Sequence, residues 1–243
     1  MPEPPITTVT LDVLGRKVPF RFPNSGNVQQ HLQSILSGRE YPAPPLPPGY
    51  RINTIVDIGA NVGASTLWFL SAAPQARAVC FEPARANYDC LCHNLKSFPQ
   101  VEYFRCGLYS SEGSQTLHHG AQQCMQHSIF ASVETGEGRE TINIKRASTE
   151  FDRLGLKQIS ILKIDTEGCE VQIIDDLGAR LEGADIIYVE WHSEEDRRAI
   201  DGLLGKFILA QSSCATPHRG NATYLAKRIA EAVPNLSAVR IKT

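Results

Sequence analysis

The chain has no apolar run approaching the ~18 residues that a membrane-crossing helix needs. Its first residues, MPEPPITT, carry neither a basic segment nor an apolar one, so no secretory leader is visible. No block of five like charges occurs, and 24 Lys and Arg nearly balance 26 Asp and Glu, for a formal net charge of −2. A broad basic face for nucleic acid is thereby disfavoured. The basic stretch from Arg139 to Arg146 is interrupted by Glu140 and apolar residues. Cys80, Cys90, Cys92, Cys106, Cys124, Cys169 and Cys214 form no Cys-x-x-Cys pair. Their number is odd, and several sit in apolar runs, where a thiol behaves as a small hydrophobe. Cys90 and Cys92, two apart on a helix, would point to different faces. These features predict reduced thiols in a cytoplasmic protein, with neither a disulfide framework nor a zinc site.

What is present is a sequence of alternating elements. The chain has 243 residues, 42% of them hydrophobic, enough for one sizeable α/β domain. Strands are predicted at Thr54–Ile58, Ala78–Glu82, Val101–Cys106, Ile159–Asp165, Asp185–Glu190, Phe207–Ser212 and Ala222–Lys227. Helices are predicted at Ala64–Ala73, Ala86–Ser97, Glu170–Asp176 and Ser193–Leu204, the last opening on a capping-box-like Ser193-x-x-Asp196. Such alternation builds a mostly parallel sheet covered by helices on both faces. Two final strands with no helix between them suggest an antiparallel strand at the sheet edge. Residues 1–50 read as an appendage. It holds a hairpin around Gly15-Arg16, a short helix capped by Asn27 and ending at Leu36, and a stiff connector of five prolines from Pro42 to Pro48. Residues 51–243 read as the main domain. Between about 110 and 149 the chain is polar and glycine-dotted, holds His118, His119, His127 and Ser128, and is far longer than an ordinary connection. It reads either as an extension of the sheet or as a lid over a site.

The first strand ends in Asp57-Ile-Gly-Ala-Asn-Val-Gly63. A strand, a glycine turn and a helix in that order bring backbone close to a ligand and aim a helix N-terminus at it. Gly59 and Gly63 supply the permissive backbone, and Asn61 stands between them. Glu82 closes the second strand, roughly 20 residues further on, where a carboxylate accepts hydrogen bonds from the two hydroxyls of a ribose. A solvated strand-end glutamate is the alternative. The dinucleotide pattern G-x-G-x-x-G is missing, and Asp57 precedes the turn. Further carboxylates mark later strand ends: Asp165, Glu167 and Glu190. A pyrophosphate would be repelled by this cluster, whereas a ribose bearing a sulfonium and an ammonium would be held. S-adenosylmethionine fits that description.

Four blocks carry a family resemblance: VDIGANVGAST (56–66), FEPARANYDCLCHNL (81–95), LKIDTEGCE (162–170) and YVEWH (188–192). Over about Ile52 to Trp191 the chain resembles the FkbM-type S-adenosylmethionine-dependent methyltransferases. The resemblance implies a Rossmann-like class I methyltransferase fold with a seven-stranded, mostly parallel sheet. In the family's named members it implies methylation of hydroxyls on polyketides or sugars. A small-molecule or glycan-like acceptor is therefore expected. A nicotinamide oxidoreductase and a non-catalytic nucleotide-binding module are the competing functions.

Ligands of parallel sheets collect beyond the carboxyl ends of the strands. Asp57, Gly59, Asn61, Gly63, Glu82, Gly107 and Asp165 are thus the expected cofactor residues. Methyl transfer to a hydroxyl needs a base, and His192, Asp165 and Glu190 are the candidates. His192 leads because an ordinary imidazole titrates near neutrality; a packing role is its alternative. Asp165, Glu167 and His192 together suggest an ion site, but no local metal spacing supports it, and no metal is assigned. Glu167 and Glu170 flank Gly168 before a helix, where the dipole favours carboxylates for structural reasons.

Overall fold

A computed structural model describes residues 5–13, 16–23, 28–120, 127–129, 135–216 and 218–234. The chain opens with β1 (Ile6–Val13), β2 (Arg16–Pro23) and α1 (Val28–Leu36). The main alternation follows: β3 (Thr54–Ile58), α2 (Ala64–Ala72), β4 (Arg77–Phe81), α3 (Arg85–Asn94) and β5 (Val101–Phe104). The long intervening stretch holds β6 (Gly107–Tyr109), β7 (Gly113–Gly120), β8 (His127–Ser128), β9 (Thr135–Arg146) and α4 (Ala147–Arg153). The chain then returns through β10 (Ile159–Ile164), α5 (Glu170–Leu177), a 3-10 turn, β11 (Ala184–Trp191), α6 (Glu194–Leu203), β12 (Phe207–Thr216), β13 (Arg219–Ala226) and α7 (Lys227–Ala232). Among the described residues no helix is long and apolar enough to cross a membrane.

The central sheet has the order β12-β13-β11-β10-β3-β4-β5. Its middle strand β10, ISILKI, is buried along its whole length, as a parallel strand covered on both faces must be. β3 pairs in parallel with β4 and β10, so successive connections leave it in opposite directions. A crevice opens at such a reversal, beyond the strands' carboxyl ends. One expectation is corrected. The strand that runs against the others is β13, and it is not at the edge. It pairs antiparallel with β11 on one side and β12 on the other. The hairpin explains this: β12 lies one place out, and its return strand fills the gap beside β11. That insertion matters below, because it brings Arg219 to the crevice.

The stretch after β5 is a second sheet of order β6-β9-β7-β8, not an extension of the first. Leu117, Ile142 and Ile144 on its inner face are buried with Ala84. Helices α4 and α7 were not expected; seven and six residues give periodicity too little length to show. Ser193 caps α6 as its spacing predicts, accepting from the Asp196 amide at 3.0 Å. Gly15, Asn27 and Cys124 lie outside the described residues.

The N-terminal segment joins the main core. Phe20, Phe22 and Leu32 belong to one buried cluster with Ile55, Leu70 and Leu91. Asn94 of α3 stitches the hairpin on: it accepts from the Arg21 amide and donates to the Arg21 and Val62 carbonyls, each at 2.8 Å. After α1 the proline connector is irregular, as five prolines require. It is anchored by side chains of the main domain. Trp68 Nε1 donates to the Tyr41 carbonyl at 3.1 Å, and the Tyr188 hydroxyl donates to the Pro42 carbonyl at 3.0 Å.

Candidate active site

The crevice is a cavity of about 490 Å³, within the usual range for small-molecule sites. Asn61, Glu82 and Gly107 line one end, and Gly59 lies between them and Asp165. Asp165, Glu167, Glu190 and Arg219 line the other.

The glycine turn is held at close quarters. Gly59 and Ala60 both donate to the Phe81 carbonyl at 3.0 Å, tying the turn to the end of β4. Gly59 has φ +80°, and a side chain there would overlap the Asp165 carbonyl. Gly63, at φ +87°, opens α2 and packs against Leu91 of α3 and Leu95 just beyond it. Asn61 is left-handed too, with φ 51°, which asparagine tolerates. Its amide donates to Glu82 Oε2 at 2.9 Å, and the Ala84 amide donates to Glu82 Oε1 at 2.9 Å. Glu82 is therefore aimed by backbone on both oxygens, with a second lone pair left on each. Burial pushes its carboxyl up to about 7. Asn61 Oδ1 is buried without a hydrogen-bond partner among the described residues. An orphaned acceptor beside a carboxylate with lone pairs to spare fits a ligand rich in N–H and O–H donors, as an adenosine is.

Asp57 does not line the cavity. It is wholly buried and accepts from the Ser65 and Thr66 hydroxyls, each at 2.6 Å. Its part is to fix the first turn of α2 from beneath. Lys163 sits between Asp57 and the far end of the cavity. Its ammonium donates to the Gly59 carbonyl at 2.8 Å and lies 3.1 Å from Asp57 Oδ1 and 3.5 Å from Asp165 Oδ2. Burial opposes its charge, but the two carboxylates prevail and hold it protonated. Lys163 was not among the expected site residues. A lysine inside the apolar run ISILKI was the available signal, since a buried cation requires partners.

At the other end the charges crowd. Asp165 accepts from the Tyr41 hydroxyl at 2.7 Å. Burial works against its ionisation, but Lys163, Glu190 and Tyr41 together hold it well below the usual carboxylate range. Burial and the charge of Asp165 push Glu190 up to about 8. Burial and the neighbouring Glu190 do the same to Glu167, also to about 8. Arg219 Nη2 reaches Glu167 at 2.8 Å and Glu190 at 3.9 Å. Glu170 turns away from the cavity and accepts from the Thr166 and Gly168 amides, so it fixes the loop carrying Glu167.

His192 stands behind these carboxylates and does not line the cavity. Its Nε2 is 3.2 Å from Glu190 and 3.7 Å from Glu170, and its Nδ1 is 4.0 Å from Glu167. Burial alone would lower it, but Glu170 and Glu190 raise it to about 11. In this arrangement the neighbouring carboxylates favour the protonated form of His192. Glu167, Glu190 and His192, rather than the trio containing Asp165, place ligand atoms within 4.8 Å of one another. Arg219 already neutralises Glu167, and His192 would have to release its proton to bind an ion. The set reads as a salt-bridge network. Tyr41 and Arg219, also unanticipated, arrive by topology from opposite ends of the chain.

The Methyltransferase FkbM domain matches residues 57–215. Methyltransferase sdnD of Sordaria araneosa is 29% identical over 151 residues, covering 49% of this chain and 58% of that protein. Methyltransferase 1 of Beauveria bassiana is 27% identical over 140 residues, covering 49% of this chain and 56% of that one. 2-O-methyltransferase NoeI of Sinorhizobium fredii is 25% identical over 176 residues, covering 64% and 72%. The chain thus spans little more than half the length of the first two. The match covers the glycine turn, Glu82, Lys163, Asp165, Glu190 and His192, though not Tyr41 or Arg219. On this match the chain belongs to the FkbM family of methyltransferases, whose methyl donor is S-adenosylmethionine.

Proposed function

We propose that the protein is an O-methyltransferase that uses S-adenosylmethionine to methylate a hydroxyl of a small-molecule, polyketide or sugar acceptor. The observation that carries this is the single cavity with two unlike ends: a backbone-aimed carboxylate at Glu82 and a side-chain carboxylate cluster around Glu190. In the proposal Gly59, Asn61, Glu82 and Gly107 hold the donor, with Asp57 and Gly63 shaping the turn behind them. S-adenosylmethionine, when bound, supplies a methyl group already activated as a sulfonium. The chain must then align the acceptor, exclude water and take a proton.

Glu190 is the proposed base. It lines the cavity, and a carboxylate raised to about 8 lies close to the strength at which general bases work best near neutrality. Asp165 and His192 act on it from either side, one by negative charge and one by positive charge. Leu117, Ile142 and Ile144 form an apolar wall that keeps water away. Residues 51–243 are proposed as the methyl-transfer domain, with 1–50 wrapped upon it. The name of the NoeI relative, a 2-O-methyltransferase, supports oxygen as the acceptor atom.

The test is incubation with donor labelled in its methyl group and a panel of polyols, phenols, polyketides and amines, read by mass spectrometry. Label appearing in an ether is the expected result. Label in amine products alone would move the acceptor atom to nitrogen. Calorimetric binding of NAD, with none of S-adenosylhomocysteine, would overturn the donor assignment.

A further inference from the structure

We propose that Tyr41, from the segment preceding the matched family domain, is a positioning residue that fixes Asp165 through its hydroxyl, so that the N-terminal segment completes the catalytic site. The proposal rests on Glu190 being the base.

Tyr41 is only 2% exposed, and its ring packs on Phe69 and Tyr188 at centroid distances of 5.9 and 5.7 Å. That packing is what an ordinary core tyrosine would show. The hydroxyl separates the two cases. The neighbouring connector tyrosine Tyr50 sends its hydroxyl to Asp185, which is not part of the cavity wall. Tyr41 sends its hydroxyl 2.7 Å to Asp165 Oδ2, a carboxylate that does line the cavity. Burial and the adjacent Asp165 keep the phenol protonated, so it only donates in this bond. The Lys163 ammonium approaches the same oxygen and lies 5.7 Å from the Tyr41 ring centroid.

The consequence concerns a proton. Asp165 and Glu190 both line the cavity, and the negative charge of Asp165 raises Glu190. Two donors, Tyr41 and Lys163, converge on Asp165 and favour its ionised form. The charge held on Asp165 makes Glu190 the stronger base. Without the Tyr41 hydroxyl, Asp165 loses one of the two donors that hold its charge in place beside Glu190. The other charged groups facing Asp165 are His31 and Glu40 from around α1, Glu167 from the loop after β10, and His192 from the end of β11. Tyr41→Phe leaves all of them in place.

The experiment is Tyr41→Phe, read in two ways. The first needs no acceptor: carbon-13 NMR of protein labelled at aspartate carboxyls, with the Asp165 resonance identified by its loss in Asp165→Asn. The Asp165 midpoint should move up by about one pH unit, the size of one hydrogen bond to a charged group. The second is turnover on an acceptor found with the unaltered protein. It should fall about tenfold while the donor KM stays within about twofold. A purely structural tyrosine would change the melting temperature and leave the Asp165 midpoint alone, and an unmoved midpoint overturns the proposal. Should Tyr41→Phe fail to fold, a fluorotyrosine at position 41 keeps the shape and donates more strongly. It should shift the midpoint the opposite way, and no shift overturns the proposal equally. If the unaltered protein methylates nothing, the O-methyltransferase reading fails while the NMR result still decides the role of Tyr41.

Discussion

The two ends of the cavity are built by different means. At the Glu82 end, backbone does the positioning: two amides aim one carboxylate, and the turn between β3 and α2 hangs on the Phe81 carbonyl. At the Glu190 end, side chains position side chains. Tyr41, Lys163 to Glu167, Glu190 with His192, and Arg219 come from four parts of the chain and meet in hydrogen bonds and ion pairs. Backbone geometry is fixed once the strands pair, so the first end tolerates loss of any neutral neighbour. The second end is a balance of charges, and removing one member shifts all the others.

The sharpest way to break this contrast is Glu190→Gln. Turnover should fall by about 10²–10⁴, while calorimetry of S-adenosylhomocysteine binding stays unchanged. A parallel loss of binding would mean that the two ends are one unit. Lys163→Met comes next, because Lys163 bonds the glycine turn at the Gly59 carbonyl and also pairs with Asp165. It would leave Asp57 and Asp165 uncompensated in the interior, at a cost of about 3–5 kcal/mol in denaturant unfolding. Glu82→Ala should weaken S-adenosylhomocysteine binding about tenfold, by loss of charge-assisted hydrogen bonds. A folded variant that binds normally would make Glu82 a structural cap only.

The smallest effect separates the ends by pH. A carboxyl raised by burial is neutral below its pKa and accepts hydrogen bonds fully only above it. Donor affinity should therefore rise as pH climbs through about 7, following Glu82. Turnover at saturating donor should rise through about 8, following Glu190. Glu82→Gln should flatten the first curve and leave the second. One shared midpoint for both would erase the distinction.

The same contrast decides what was legible in the sequence. Gly59, Asn61 and Glu82 line the cavity from within one strand–turn–helix–strand window, where local pattern is readable, whereas Gly63 lies behind it. Asp165 and Glu190 were found as strand ends. His192 was expected as the base on the strength of its ordinary pKa. Glu170 at the start of α5 and Glu190 of β11 stand beside it and favour its protonated form. Arg219 reaches the site only because β13 inserts beside β11, and an edge placement would have left it outside. Nothing near Tyr41 marks its hydroxyl for Asp165, since that pairing spans 124 positions. Lys163 was visible as a charge in an apolar strand, but its partners were not.

The anchoring of Pro42 by Tyr188 bears on how the chain is made. The two residues are 146 positions apart. A ribosome adding roughly 5–20 residues each second leaves the connector waiting about 7–30 s before that partner emerges. Phe20, Phe22 and Leu32 meet Ile55, Leu70 and Leu91 sooner, but β3 lacks its β10 neighbour for most of that interval. Newborn chains should therefore be most exposed to aggregation, and most dependent on chaperones, while synthesis crosses the segment from β3 to β11.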